Sequence, residues 1–334
     1  MLALASRETA ASPWALPAER LVLTGAVRFQ WAGQEFLDAR RPTPIPLNGF
    51  FTSTTFEVGG RWGLGSGFDV ELLIPIAVLN FASDSVILLD QPPDSTVAPL
   101  DFFQNNVLGF GQTPAGVSDI RVTGRKQWLA RPFALATLVE LKIPAGYDGP
   151  VGTFGPEPTT AEEFIADLET IIVPENVADD VALGDGQVDV TPSLHLGWAS
   201  SKGLFLRSAV GYAFRFGGAA DEFRAETRVG QLFLRRFLVF ASAFVRVAVE
   251  DGRNIGISVA AVDPELPAAD FGGLTNLLLR ELQLERDLLD VGGGLIYRIS
   301  ERYELNATYE RIVWGRNTSA INSVSLSVAG RIDL

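Results

Sequence analysis

Hydrophobic and polar side chains alternate along most of this chain with a period of two residues. That period is typical of β-strands that have one apolar and one polar face. Each alternating segment is longer than the about 9 to 11 residues that a tilted strand needs to cross a bilayer. We predict twelve such strands, at residues 21–36, 51–64, 67–80, 116–130, 132–144, 186–200, 203–216, 221–233, 236–250, 279–299, 302–316 and 319–334.

The two faces of each predicted strand differ sharply in polarity. In the sixth strand, for example, Val190, Leu194 and Leu196 share one face, whereas Asp189 and His195 share the other. A soluble β-sandwich also has apolar and polar faces, but its strands are usually only about 5 to 6 residues long. We therefore predict an all-β fold, a closed antiparallel transmembrane β-barrel of about twelve strands. The apolar face would meet lipid and the charged face would line the lumen.

The connections between the predicted strands alternate between very short turns and longer segments. This pattern is typical of outer-membrane barrels, which have short periplasmic turns and long extracellular loops. The three longest predicted loops are residues 81–115, 145–185 and 251–278. Residues 1–20 are interpreted as an N-terminal tail that begins like the end of a signal peptide, and residues 21–334 as a single barrel. An even number of strands places both termini in the periplasm.

Aromatic residues occur at a similar distance before each of the five short turns. Amphipathic rings are favoured where hydrocarbon meets lipid headgroups, and outer-membrane barrels carry girdles of them. We therefore predict an interface girdle on the lipid side. Its members are Trp62, Trp128, Trp198, Phe233 and Tyr297.

Composition restricts the remaining possibilities. The longest apolar run, Leu72 to Leu79, is far shorter than the about 20 residues of a transmembrane helix, so a membrane crossing must use strands. The chain contains no Cys and one His, and it has no recognisable metal or nucleotide motif, so we expect no metal site and no cofactor. With 40 acidic against 27 basic residues, the net charge of −13 argues against nucleic-acid binding and favours cationic partners.

The acidic loop 145–185 carries two further signals. Thr160 and Glu163 form a capping-box pattern at the start of an amphipathic segment, which predicts a helix over residues 160–172. This helix could gate the barrel or simply pack on neighbouring loops. Three loop carboxylates are candidates for divalent cations at the lipopolysaccharide surface, although a solvated charged loop is the commoner interpretation. They are Asp179, Asp180 and Asp185.

Charged residues on the inward face are expected to pair across neighbouring strands. Around the turn at residues 131–132, one register sets Asp119 opposite Lys142 and Arg121 opposite Glu140. Cross-strand pairs of opposite charge stabilise a sheet by about 0.2 to 1 kcal/mol each. Such pairs could brace a narrow lumen or line a polar path through it.

The same reasoning pairs Arg61 with Asp69 or Glu71, and Arg298 with Glu304. The principal predicted lining consists of inward charged side chains and the single histidine. Its members are Arg61, Glu71, Asp119, Arg121, Arg125, Glu140, Lys142, Asp189, His195, Arg207, Arg215, Glu226, Arg228, Arg246, Arg298 and Glu304.

Ser193 and His195 resemble, in type, the serine and histidine of outer-membrane phospholipase A. The active residues of that enzyme face lipid, whereas strand parity turns Ser193 and His195 toward the lumen. No third residue in the sequence is well placed to orient the imidazole. A lipid hydrolase is therefore disfavoured, and we predict no catalytic residues.

Four hairpin segments resemble those of the transporter-like outer-membrane proteins associated with the meta pathway of phenol degradation. They begin at Gly116, Val139, Leu183 and Gly211 and read GVSDIRVTGR, VELKIP, LGDGQVDV and GYAFRFGGAADEF. The resemblance implies a barrel that assists passage of small, often aromatic or hydrophobic, compounds. We therefore expect a bacterial outer-membrane channel or uptake protein for a small solute, surrounded by outer-membrane lipid and lipopolysaccharide. The alternative is a structural or partner-docking barrel with a plugged lumen.

Overall fold

Twelve long antiparallel strands close into a barrel in the computed structural model, which describes residues 13–37, 41–87, 107–130, 133–153, 155–160, 162–163, 181–262 and 277–333. Each strand pairs with its neighbours in sequence, and the first pairs with the last, so the barrel has no free edge. This confirms the predicted fold class. The strands are β1 Arg20–Ala32, β2 Phe50–Gly65, β3 Phe68–Ala82, β4 Ile120–Leu129, β5 Phe133–Ile143, β6 Val188–Ala199, β7 Leu204–Phe216, β8 Glu222–Phe233, β9 Phe237–Ala248, β10 Asp287–Arg298, β11 Tyr303–Arg316 and β12 Asn322–Asp333.

Exposed and buried side chains alternate along the strands, but the exposed ones are apolar and the buried ones are charged, the reverse of a soluble protein. In β3, Val70 and Leu72 are 40% and 44% exposed on the outside, whereas Asp69 is 1% exposed on the inside. Apolar side chains gain nothing from water, so an apolar exterior around a charged interior indicates a lipid environment. Within the described residues, no helix has the length and apolar character needed to span a membrane.

The predicted register between β4 and β5 is wrong by two residues. Lys142 stands opposite Arg121, and Glu140 stands opposite Thr123. The pairing also contains an irregularity between Leu135 and Ala136, which offsets the register near the turn by one residue. A shift of two leaves each side chain on its own face, so the inward set is unchanged.

One predicted strand, residues 279–299, is two separate elements. Leu277–Gln283 pairs with Asn254–Val262 in a small sheet outside the barrel wall, and β10 begins only at Asp287. The predicted loop 251–278 therefore contains regular structure. Apolar alternation continues through both elements, which is why periodicity alone does not separate them.

A second short sheet lies beyond the ends of β1 and β12. Gln34–Phe36 pairs with Thr43–Pro44 on one side and with Thr318–Ser319 on the other. The first and last predicted strands, 21–36 and 319–334, thus include short segments that are not part of the barrel wall.

In the second long loop, the backbone N–H of Glu163 donates to Thr160 Oγ1 over 3.1 Å, as a helix cap requires. The rest of the predicted helix lies outside the described residues.

The barrel has two different ends. The connections after β2, β4, β6, β8 and β10 are short, and we call this the short-turn end; the other is the long-loop end. In the β2–β3 turn, Gly65 and Gly67 have φ of 89° and 76°, values that glycine adopts without a Cβ clash. The chain enters β1 and leaves β12 at the short-turn end, where Arg20 pairs with Asp333.

Candidate functional site

The barrel encloses a cavity of about 580 Å³ whose lining extends to residues of the long loops. Charged side chains of the wall and residues of the long loops line it together. All sixteen predicted lining residues lie on the inward face of the wall or at its rim. Eleven of them contact this cavity, namely Glu71, Asp119, Arg121, Glu140, Lys142, Asp189, His195, Arg215, Glu226, Arg228 and Arg246.

Asp189 is the centre of a charge network in the long-loop half of the lumen. Its carboxylate is 1% exposed and lies 3.1 Å from Lys142 Nζ, 3.3 Å from Arg215 Nε and 3.3 Å from Arg224 Nη2. Lys142 and Arg215 lie on β5 and β7, the two strands that flank β6. Arg224 lies on β8, the next strand after β7. One carboxylate therefore ties together four neighbouring strands.

Glu222, which strand parity also places on the inward face, is the second centre of this network. Its side chain is buried and lies 2.7 Å from Arg224 Nη2, 3.0 Å from Arg215 Nη1 and 3.3 Å from Arg246 Nε. Glu222 is the first residue of β8, so its neighbourhood depends on how the β7–β8 connection folds. Periodicity shows that it faces inward but not that three arginines converge on it.

Asp185, at the entrance to this network, also binds cations of the protein itself. Its carboxylate forms ion pairs with Lys142 and Arg215. Burial alone would raise the pKa of Asp185, but these cations outweigh burial and hold the pKa well below its ordinary value. The carboxylate is thus already neutralised, which weakens its candidacy for a divalent cation. The described residues contain no cluster of acidic and histidine side chains suited to a metal, and Asp179 and Asp180 lie outside them.

Asp119 does not stand directly opposite Lys142, but the two are still in contact. The Lys142 ammonium lies 3.7 Å from Asp119 Oδ2, because the shifted register leaves the pair diagonal. Tyr147 donates a hydrogen bond to Asp119, and burial together with this carboxylate raises the pKa of Tyr147. Arg121 and Glu140 are not brought together. Glu140 instead lies 4.0 Å from Arg224.

The middle of the lumen contains the only histidine of the chain. His195 is 4% exposed, and its Nε2 lies 2.9 Å from Ser193 Oγ. Both side chains contact the central cavity, so neither can meet lipid, as strand parity predicted. Nearby, Arg207 Nη2 lies 2.8 Å from Glu226 Oε1, an ion pair across β7 and β8.

At the short-turn end a second set of ion pairs surrounds Asp69. The Asp69 carboxylate lies 2.7 Å from Arg61 and 3.3 Å from Arg125, and Arg125 is 3.9 Å from Glu71. The predicted proximity of Arg61 to Asp69 is therefore observed, as is that of Arg298 to Glu304, at 3.3 Å. These pairs come from β2, β3 and β4 on one side of the barrel and from β10 and β11 on the other.

The segment before β1 is not a free tail but folds into the short-turn end of the lumen. The Leu16 backbone N–H donates to Asp69 Oδ2 over 3.0 Å, and Arg61 donates to the Trp14 carbonyl over 2.6 Å. A Cβ added to Gly63 on β2 would lie 1.9 Å from the Pro17 carbonyl oxygen.

The far end of this segment reaches the other side of the barrel. A Cβ added to Gly197 on β6 would lie 2.4 Å from Pro13 and 2.9 Å from the Trp14 ring. Residues 13–19 therefore run from β2 toward β6 and obstruct the lumen. The signal available in the sequence was the pair of inward glycines, Gly63 and Gly197, which leave room inside the wall.

Long-loop residues narrow the opposite end. The Gly152 and Thr153 backbone N–H groups donate to the carbonyls of Ile255 and Ile257 over 2.9 and 2.8 Å, which joins the second long loop to the third. Arg280, from the small sheet of the third loop, lies 3.1 Å from Glu35. Both ends of the cavity are thus restricted by chain segments outside the wall.

The five predicted girdle residues all point away from the lumen. Trp62, Trp128 and Phe233 are 52%, 60% and 51% exposed, and Trp198 and Tyr297 are half-buried against neighbours on the outer surface. The Tyr297 ring stacks on Phe237 at 4.8 Å, and Trp128 Nε1 donates to Thr137 over 3.1 Å.

Comparison with known proteins bears on the fold. No protein-family description matches the chain, and no curated protein matches its sequence. Among solved structures, the chain is similar to the COG4313 outer membrane channel from Pseudomonas putida F1, with a TM-score of 0.60 and 9% identity over 96% of this chain and 97% of that one. It also aligns with the NanC porin (TM-score 0.43, 9% identity, 93% and 98% covered) and with the transport unit of the autotransporter AIDA-I from Escherichia coli (TM-score 0.44, 8% identity, 92% and 89% covered).

The fold and the polarity of its two faces define the class. The protein has the architecture of outer-membrane β-barrels, with twelve strands, an apolar exterior and a charged interior.

Proposed function

We propose that the protein is a passive channel of a bacterial outer membrane that admits a small solute. The observation that carries this proposal is the central cavity of about 580 Å³, lined by polar groups from most of the strands. The exposed apolar band supports residence in a membrane. In this arrangement the short-turn end and both termini are periplasmic, and the long-loop end faces outward.

The chemistry of the lining favours an uncharged or weakly polar solute. The charged side chains of the wall neutralise one another, since Asp189 and Glu222 are each surrounded by cations. The same cavity is also lined by the apolar side chains of Leu73, Leu138 and Phe244. Such a lining suits a small aromatic compound, which the resemblance to the phenol-pathway transporters also implies.

Passage requires a path around the segment 13–19, because this segment obstructs the short-turn end. Its contacts are a few hydrogen bonds and the packing of Trp14 and Leu16. We infer that conduction through the intact protein is slow and that displacement of this segment limits it.

Solute uptake into proteoliposomes tests the proposal. Vesicles containing the barrel should admit phenol or benzyl alcohol faster than protein-free vesicles and should largely exclude a trisaccharide. A matched preparation lacking residues 1–18 should admit phenol faster still. Equal uptake by vesicles with and without the barrel would refute the channel.

The obstructed short-turn end favours one alternative, a structural or partner-docking barrel with a permanently plugged lumen. The buried ion pairs around Asp69 would then serve to fix the plug. In that case removal of residues 1–18 would change stability but would leave solute uptake at the protein-free rate.

A further inference from the structure

The outward face of the barrel wall is almost free of charge. Among strand residues that share a face with the exposed apolar side chains, four are charged, namely Lys126, Asp287, Arg311 and Arg316. An outward arginine is most destabilising near the middle of a bilayer and less so toward the interfaces. Each outward charge therefore calls for a compensating partner.

Three of these four charges have partners within the protein. Arg316 Nε lies 3.0 Å from Asp287 Oδ2, so these two neutralise each other. Lys126 donates to the Ser66 carbonyl over 2.7 Å and lies 4.0 Å from the Phe68 ring centroid, at the short-turn interface. Both arrangements place the charge at an end of the wall.

Arg311 on β11 is different. It is exposed between the outward residues Tyr309 and Val313, which are 46% and 43% exposed. Its guanidinium forms no hydrogen bond or ion pair with any residue in the part of the chain that the structure describes. Among the described residues the charge of Arg311 is therefore uncompensated.

The register places Arg311 in a small polar group on three adjacent strands. Arg311 is directly opposite Asn322 on β12, and Asn322 is directly opposite Trp31 on β1. The Tyr309 hydroxyl donates to Asn322 Oδ1 over 2.9 Å, which leaves the Asn322 amide N–H₂ as a donor beside the guanidinium. This spot thus offers one positive charge and an adjacent amide donor, whose orientation the Tyr309 hydroxyl fixes.

The depth of Arg311 indicates which leaflet it meets. It follows Tyr303, at the short-turn end of β11, by eight residues, and a strand tilted by 35–45° rises about 20 Å over that length. The apolar band of such barrels is about 25 Å tall. The long side chain of Arg311 therefore reaches the headgroup level at the long-loop side.

We propose that Arg311, with Asn322 and Tyr309, forms a site for a phosphate group of an outer-leaflet lipid, as presented by the lipid A part of lipopolysaccharide. The site rests on the outer-membrane residence proposed above. Guanidinium groups bind phosphate oxygens through paired hydrogen bonds, and amide donors complete such sites. The second long loop has ten acidic residues and no Lys or Arg between residues 145 and 185, so this loop does not attract phosphate.

Binding of purified lipopolysaccharide to the detergent-solubilised barrel tests this site, in EDTA so that divalent cations cannot bridge acidic loops to phosphate. Retention of bound lipopolysaccharide is measured by native mass spectrometry and as a rise in the thermal unfolding midpoint. We expect Arg311→Gln to weaken binding about tenfold, equivalent to about 1.4 kcal/mol, Arg311→Lys to retain most of it, and Tyr309→Phe to weaken it less.

Arg302→Gln, an exposed arginine in the β10–β11 turn, is the matched control and should bind as the unmodified protein does. Inorganic phosphate and dephosphorylated lipopolysaccharide should give no shift, which separates a lipid site from a free-phosphate site. Equal binding by Arg311→Gln and the unmodified protein would overturn the proposal, as would equal binding of dephosphorylated lipid. Because binding is measured without conduction, these outcomes are independent of whether the barrel is a channel.

Discussion

Asp189 shows most clearly how single residues hold this lumen together. Three cationic side chains from three strands meet its carboxylate within 3.3 Å. Removing one member of a buried charge group leaves the others uncompensated, which costs more than the pairing itself contributes. The inward charges are therefore interdependent. Their removal should lower the free energy of unfolding more readily than it changes conductance.

Substitution of Asp189 by Asn should lower the free energy of unfolding by about 3 kcal/mol, because Lys142, Arg215 and Arg224 lose a common counter-ion. Urea titration of the barrel in detergent micelles measures this. Asp148→Asn, in the exposed part of the second long loop, is the control and should change stability by less than about 0.5 kcal/mol. Equal effects of the two substitutions would show that the network is not stabilising.

Asp185 gives stability a dependence on pH. Because its pKa is held below that of an unfolded Asp, about 3.9, its contribution is present above that value and is lost as pH falls through the lower, folded pKa. The unmodified protein should therefore lose stability between about pH 5 and pH 2. Asp185→Asn should show a smaller loss over this range, measured by unfolding at each pH; an unchanged pH profile would contradict the ion pairing seen here.

At the scale of strands, the sequence predicted much of the architecture and missed specific parts. Parity of apolar and polar positions is set by which face meets lipid, so it was readable in every strand, including the inward placement of His195. Register was not readable between β4 and β5, because a shift of two residues keeps every side chain on its own face and so leaves the pattern of apolar and polar positions unchanged. The lumen segment 13–19 was missed because it has no period and is held by backbone hydrogen bonds to Arg61 and Asp69.

The two faces of β6 provide a test of the strand assignment. Leu194 is 41% exposed on the outside, whereas Ser193 faces the cavity. Leu194→Arg should destabilise the barrel by about 2 to 4 kcal/mol in lipid vesicles, and Ser193→Arg should cost much less because the lumen is polar. Reversible unfolding in vesicles compares them, and a larger cost at Ser193 would reverse the assignment of the faces.

The whole molecule is electrically asymmetric. The net charge is −13, and the second long loop alone carries ten acidic residues and no basic ones. A negative potential at the long-loop mouth raises the local concentration of cations, with a range of about 10 Å at 0.1 M salt. The buried wall charges largely cancel one another and should contribute less to selection.

We therefore expect the channel to prefer cations weakly at low salt and to lose this preference as salt rises. Reversal potentials in a potassium chloride gradient report the preference directly. A stable anion preference would indicate that inward arginines such as Arg121 and Arg228, not the loops, control selection. Neutralising acidic residues of the second long loop should reduce cation preference while leaving thermal stability unchanged.

Single-channel recording in planar bilayers tests the central claim, that this barrel conducts, most directly. The unmodified protein should give small, discrete conductance steps, and the protein lacking residues 1–18 should give steps several times larger, because the segment across the short-turn end is gone. Removal of residues 1–12 alone, which leaves Pro13–Glu19 in place, is the control. Absence of steps in both the unmodified and the shortened proteins would contradict the channel and identify a plugged, structural barrel. This outcome requires that the barrel is shown to be folded, by its resistance to unfolding in cold detergent.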